Sequence, residues 1–157
     1  MVCNAVDDFF SGMVMTLKLP MNILGLIPHR PPMLLVDRLV QLTADGAVSE
    51  TVPPPDGIFS RDDGRVEEAA LFEMMAQTFA AASAAGREGP GPSAGYLVGL
   101  KRVAIHGPAR VGATVTVRVK VISQVEDFSV VEGQVHQDGR LLASGQLTVF
   151  VPEEAAL

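Results

Sequence analysis

The sequence predicts an α+β fold in which one long, central, apolar helix is wrapped by a curved antiparallel sheet. Three observations point to it: the nearly all-apolar stretch Val66 to Gly86, the strict alternation from Ala113 to Val121, and the Asp138-Gly139 pair set between two further strand-like runs. A chain of 157 residues, 48% of them hydrophobic, is long enough for one domain with its own core.

In chain order, residues 1–21 read as a flexible N-terminal extension and 22–157 as a single domain. Asp7 and Asp8 stand where a secretory signal carries positive charge, and Lys18 and Pro20 interrupt the apolar runs, so no signal peptide is expected. Met13, Met15 and Met21 are alternative starts. The PHRPP segment introduces a strand from Met33 to Leu42. A second strand, Gly46 to Val52, follows an Asp45-Gly46 turn and ends at Pro53, Pro54 and Pro55. A loop through Gly57 and Gly64 leads to the long helix, and Gly86 suits the left-handed position that ends a helix.

Beyond the Gly- and Pro-rich REGPGPSAG loop everything reads as strand: Tyr96 to Ile105, Ala113 to Val121, Phe128 to Gln137 and Leu141 to Val151. The order is therefore two strands, one helix and four strands. A helix apolar on every side needs cover on every side, which one curved sheet does not supply. A second chain is the economical remedy, so a dimer is expected.

Composition excludes several classes of function. A net charge of −6 and a pI of about 4.9 argue against nucleic-acid binding, which needs a basic surface. Cys3 is the lone cysteine, so no disulfide framework or cysteine zinc site is implied, and a reducing cytoplasm is expected. His29, His106 and His136 are scattered, so no metal and no cofactor is implied. The helix is no membrane span: after Glu73 only 13 residues run without a formal charge, short of the roughly 20 a bilayer requires. Charge is uneven, however. Residues 87–122 hold six basic side chains and one acidic, and Lys101, Arg102, Arg110, Arg118 and Lys120 form a basic island suited to an acidic partner or a phosphate-bearing carrier, or simply to a solvated strand face.

The candidate functional residue is Glu73, an ionisable side chain in the middle of the apolar helix. A carboxylate there must be paired, neutralised, turned out to solvent, or kept for chemistry. Helical spacing puts it on a stripe with Val66, Ala69, Ala70, Gln77, Ala80 and Ala84. Small residues beside it allow either close packing or approach of a slender acyl chain, and Gln77, one turn on, is placed to orient the carboxylate or to bind what it binds. Backbone amides from Gly64 to Glu68, at the helix start, are candidates for polarising a thioester carbonyl, although Glu67 and Glu68 would weaken that effect.

Two segments carry a resemblance: Ile27 to Arg38 (IPHRPPMLLVDR) and Leu71 to Gln77 (LFEMMAQ). Together they resemble the FabZ/FabA-type β-hydroxyacyl-acyl carrier protein dehydratases of hot-dog fold, nearest the predicted dehydratases of aryl-polyene-type gene clusters. The resemblance spans roughly residues 22 to 151. It implies an acyl-thioester enzyme acting on 3-hydroxyacyl groups carried by acyl carrier protein or coenzyme A, in fatty-acid or polyene-type biosynthesis. It also implies a homodimer, or a heterodimer with another hot-dog protein.

In that family a helix carboxylate works with a histidine of the preceding loop on the partner side. Glu73 matches the carboxylate. The loop histidine is missing: the corresponding stretch reads GIFSRDDGRVEEAALFE, with Phe59 near the expected position. His29 is the leading substitute, His106 a weaker one, and His136 reads as a surface residue. The expected site is thus Glu73 and His29 as the acid–base pair, with Gln77, Phe59, Gly64 and Val66 contacting substrate. Two alternatives stay open: a hot-dog acyl thioesterase, in which Glu73 activates water, and a non-catalytic dehydratase-like partner subunit.

Overall fold

The computed structural model describes residues 18–87 and 95–152; most of the proposed N-terminal extension and most of the Gly- and Pro-rich loop lie outside them. The elements are β1 (Met21–Asn22), a 3-10 turn (Ile23–Gly25), β2 (Arg38–Leu42), β3 (Gly46–Thr51), helix α1 (Glu68–Ala85), β4 (Tyr96–Ile105), β5 (Val115–Val125), β6 (Phe128–Gln137) and β7 (Arg140–Phe150). All strand pairs are antiparallel, in the order β1-β2-β3-β5-β6-β7-β4.

Side-chain alternation explains which face of the sheet receives the helix. On β5, Val115, Val117, Val119 and Val121 are buried while Arg118 and Lys120 are exposed. Asp138 and Gly139 both adopt positive φ, 51° and 73°, the conformation a two-residue hairpin needs, and they join β6 to β7. On the helix, Leu71, Phe72, Met75 and Phe79 join Val117, Val131, Val135 and Leu147 in one core.

How closely the helix approaches is set by two glycines. Gly133 on β6 and Gly145 on β7 sit opposite each other in the register. A Cβ on Gly133 would lie 2.5 Å from Met75 Sδ, and one on Gly145 would lie 3.3 Å from Phe72 Cε1. Their missing side chains make the depression that Met75 and Phe72 fill. Thr78 adds a polar tie within the core, its hydroxyl 2.6 Å from Ser49 Oγ on β3 and 2.7 Å from the Met74 carbonyl.

Three expectations need correction. The strand expected from Met33 to Leu42 starts only at Arg38, because the main chain of Met33 to Leu35 is engaged elsewhere. Met33 and Leu34 donate to the Arg30 carbonyl, and Leu35 donates to the Gln77 side chain. Gly86 closes the helix with φ −86°, not in the left-handed region; its N–H reaches Ala82 O by continuing the helical turn. His136 is half-buried on β6 with a buried Nδ1, not a surface residue.

Candidate active site

Glu73 lies on the one side of α1 that the sheet leaves open. Ala69 is exposed, and Glu73, Ala76, Ala80 and Ala84 are half-buried, so a lane of small side chains flanks the carboxylate. The segment before β2 folds back across this lane. Arg30 holds it in shape by donating to the carbonyls of Ile27 (2.9 Å) and His29 (2.8 Å).

That fold-back brings His29 and Glu73 together. His29 Nε2 lies 3.3 Å from Glu73 Oε1, with the two side chains 33% and 28% exposed. The other ring nitrogen, Nδ1, is buried and has no hydrogen-bond partner among the described residues. The 3.3 Å approach is within ion-pair distance but is not aligned as a hydrogen bond, and a proton on the buried Nδ1 would stand unsatisfied.

Gln77 fixes the geometry from below. It is 1% exposed, and its amide nitrogen donates to Glu73 Oε1 (2.9 Å) and to the Met33 carbonyl (2.8 Å). Its carbonyl oxygen accepts from Leu35 N at 2.9 Å. One side chain thus positions the carboxylate and clamps the His29 segment to the helix. A buried carboxamide whose donors and acceptor all find partners is a rigid support for a reacting group.

These three residues line a cavity of about 110 Å³ whose remaining wall includes Ala76, Ala80, Gly95, Leu97 and Val149. A second cavity of about 470 Å³ lies on another side of the helix, between the His29 segment and the 53–60 loop. Pro31, Leu35, Val52, Ile58, Phe59 and Val66 are among its walls, with Ala70 and Met74 from the helix. Phe59 and Val66 therefore face the larger cavity and not the one that holds Glu73. Val66 left the expected stripe because α1 begins only at Glu68: residue 66 is extended, bridged to Ser60, and out of helical phase.

Of the amides from Gly64 to Glu68 expected to be free, all but that of Glu68 are occupied. Gly64 N donates to Arg61 O, Arg65 N to Asp63 Oδ1, Val66 N to Ala109 O and Glu67 N to Phe59 O. Gly64 sits at φ +80° in this turn and lines neither cavity. Oxyanion stabilisation by Gly64 to Glu67 is thus corrected: a compact, internally bonded loop has consumed those donors. Arg61 grips both oxygens of Glu67 at 2.5 and 2.6 Å, and this bond holds the Glu67 carboxyl below its ordinary range. Asp63 is lowered too, first by the Arg65 backbone N–H and then by the Arg65 side chain. His106 is exposed beyond β4 and is not part of the Glu73 cavity.

Sequence reasoning singled out the Glu73, His29 and Gln77 constellation but not the role of Leu35 and Met33, whose main-chain groups complete it. A helical glutamine opposite a segment without paired strand partners is the signal that would have found them.

The chain matches the ApeP-like family, described as ApeP dehydratase, over residues 21–157. It belongs to that family. It is also similar to the 3-hydroxyacyl-[acyl-carrier-protein] dehydratase FabZ of Streptococcus sanguinis, 31% identical over 130 residues that cover 80% of this chain and 91% of the relative. FabZ of Campylobacter lari is 26% identical over 142 residues, 85% of this chain and 97% of that one. Among solved structures, the dehydratase heterocomplex ApeI:P from Xenorhabdus doucetiae superposes with a TM-score of 0.77 at 24% identity, covering 88% of this chain and 94% of that one. The fold is the hot-dog fold, and the chain is a dehydratase-like lyase of the FabZ-related group. Among the described residues no helix is long and apolar enough to cross a membrane.

Proposed function

We propose that this chain removes water from 3-hydroxyacyl groups held as thioesters on an acyl carrier protein or on coenzyme A, with Glu73 and His29 as the acid–base pair. The observation that carries the reading is the 3.3 Å approach of His29 Nε2 to Glu73 Oε1 at the wall of an apolar cavity. One member of the pair takes the Cα proton as the C2–C3 double bond forms and the C3–O bond breaks. The other, in its protonated form, gives a proton to the departing hydroxyl, which leaves as water, and return of the captured proton to the donor resets the pair. Gln77 holds the carboxylate throughout. Phe59 and Val66, on the larger cavity, are proposed to contact the acyl chain or its carrier arm. Gly64 is assigned only the turn that shapes this wall.

A second reading concerns where the histidine comes from. The ApeI:P structure is a heterocomplex of dehydratases, and the lane beside Glu73 is open to a second chain. In a dimer with another hot-dog protein, Glu73 would serve a loop histidine of that partner, a residue this chain lacks. Dimerisation, homomeric or heteromeric, is part of the proposal, as is a cytoplasmic setting inferred from the lone Cys3. The thioesterase alternative loses the amides of residues 64–67, which are already bonded, and keeps only that of Glu68.

Incubating the purified chain with a 3-hydroxyacyl thioester and, separately, with a saturated acyl thioester tests the assignment. Enoyl product from the first and no thiol release from the second is the expected result. Thiol release would replace dehydration by hydrolysis, and no turnover from the chain alone would make it the Glu73-bearing half of a shared site or a non-catalytic subunit.

A further inference from the structure

The cavity at Glu73 does not end with the acid–base pair. Phe79, Ser83 and Val151, which line it, also line a third cavity of about 230 Å³. Ser83 lies in the last turns of α1, ten residues beyond Glu73, so at a rise of 1.5 Å per residue the two stand roughly 15 Å apart along the helix axis. The stretch near Glu73 is apolar, with Ala76 and Ala80 on the helix side and Leu97 and Val149 on the sheet side. The third cavity is different in character: Arg87, Gln124, Glu126, Asp127 and Ser129 are its other walls. Val151 N donates to the Asp127 carbonyl at 2.8 Å, which fixes the end of the sheet against the turn between β5 and β6.

Ser83 is the odd residue at this junction. It is 3% exposed, and its hydroxyl is buried without a hydrogen-bond partner among the described residues. A helical hydroxyl can satisfy itself on the carbonyl four residues back, as Thr78 does on Met74. Ser83 makes no such bond. If α1 needed only a small side chain here, alanine would serve, as it does at positions 80, 81, 82, 84 and 85, without burying an unmet hydroxyl. The cost of that hydroxyl is recovered when a polar group reaches it.

The surroundings indicate what kind of group. The third cavity sets one guanidinium, Arg87, against the two carboxylates of Glu126 and Asp127, so an anionic group is disfavoured there. A neutral hydroxyl, which both donates and accepts, matches serine on equal terms. An extended acyl chain of about a dozen carbons covers the distance from a thioester reacting at Glu73 to Ser83.

We propose that Ser83 is a specificity-determining residue, receiving by hydrogen bond the terminal hydroxyl of a long acyl chain whose thioester end lies at Glu73. The inference deepens the proposed function: it rests on an acyl thioester occupying the Glu73 cavity, and it names the class of acyl group taken.

The test measures binding by isothermal titration calorimetry with dodecanoyl-coenzyme A and ω-hydroxydodecanoyl-coenzyme A, and with the octanoyl and ω-hydroxyoctanoyl pair. Wild type is expected to bind the hydroxylated twelve-carbon thioester at least about tenfold more tightly than the methyl-ended one. The octanoyl pair, too short to reach Ser83, should show no such difference. In Ser83→Ala the two twelve-carbon ligands should bind equally, while the ligand-free variant melts at the wild-type temperature or above it, because the unmet hydroxyl is gone. Equal affinities in wild type, a preference that survives in Ser83→Ala, or one equally large in the octanoyl pair would overturn the inference. So would a lower melting temperature in ligand-free Ser83→Ala, which would show the hydroxyl already partnered, or no binding of either twelve-carbon thioester. None of these ligands carries a 3-hydroxyl, so failure of the dehydration reading would show separately in the turnover assay.

Discussion

Gln77 Nε2 lies 2.9 Å from Glu73 Oε1 while the same carboxamide reaches across to Met33 and Leu35. The helix and the His29 segment are joined through this one buried side chain. Gln77→Ala leaves a main-chain N–H and a carbonyl without partners at a part-buried seam, at about 1–3 kcal/mol for each group left unsatisfied. Urea denaturation should show the midpoint falling with an unchanged slope. Turnover should fall as well, since His29 loses its registry with Glu73. An unaltered midpoint would mean that the clamp contributes nothing.

Glu73 and His29 are separable by substitution. Glu73→Gln keeps the shape and the contact with Gln77 but removes the titratable carboxyl, so enoyl formation should drop about 10²- to 10⁴-fold while stability changes little. His29→Asn should cost a similar factor if His29 is the other half of the pair, measured as kcat with a 3-hydroxyacyl thioester. Full activity in His29→Asn alongside a dead Glu73→Gln would point to a histidine supplied by a second chain. Full activity in both would remove the acid–base assignment.

Much of this was legible in the sequence, for a physical reason: the strands and the helix have side-chain periods of two and of about 3.6, and burial imposes those periods on residue type. The run Val115 to Val121 and the Asp138-Gly139 turn were readable because each is decided by local chemistry. Glu73 and Gln77, one turn apart, share a face, and their contact follows from that spacing. What sequence did not reveal depends on distant partners. Met33 to Leu35 look like strand because they are apolar, yet their main-chain groups are committed to Arg30 and Gln77. The amides of Val66 and Glu67 looked free because nothing local shows that Ala109 and Phe59 reach them. Val66 was grouped with Glu73 by a helical phase that begins two residues too late to include it, and Phe59 by the resemblance that sets it near the loop-histidine position.

Gly133 sets the height of the helix over the sheet. In Gly133→Ala the new methyl would meet Met75 Cγ at 2.8 Å and Cβ at 3.2 Å as well as the sulfur. Rotating the end of the methionine side chain relieves only part of this, so the helix must rise. Overpacking of this kind costs about 1–3 kcal/mol, and Gly133→Val should cost more. A thermal melt measures it. Pairing Gly133→Ala with Met75→Ala should recover part of the loss, because the double change removes the clash; equal, additive losses would show that the two positions do not interact.

The loop that walls the larger cavity should respond to acid through Glu67. Arg61 holds the Glu67 carboxyl below its ordinary value of 4.5, mainly by the side-chain hydrogen bond, and Glu67 raises the Arg61 guanidinium in return. A carboxyl lowered in the folded state contributes stability that is present above its unfolded value and lost as pH falls through its folded one. Wild type should therefore melt above Arg61→Ala at neutral pH, with the gap closing as pH drops below 4.5 and gone once Glu67 is protonated. Both groups are exposed, so the gap should be small and should shrink in high salt. Arg61→Lys should retain only part of it, since lysine lacks the two-pronged grip on both Glu67 oxygens. Melting curves collected across the acid range decide the matter: a gap that stays constant or widens on acidification would show that Arg61 stabilises the loop by packing and not through Glu67.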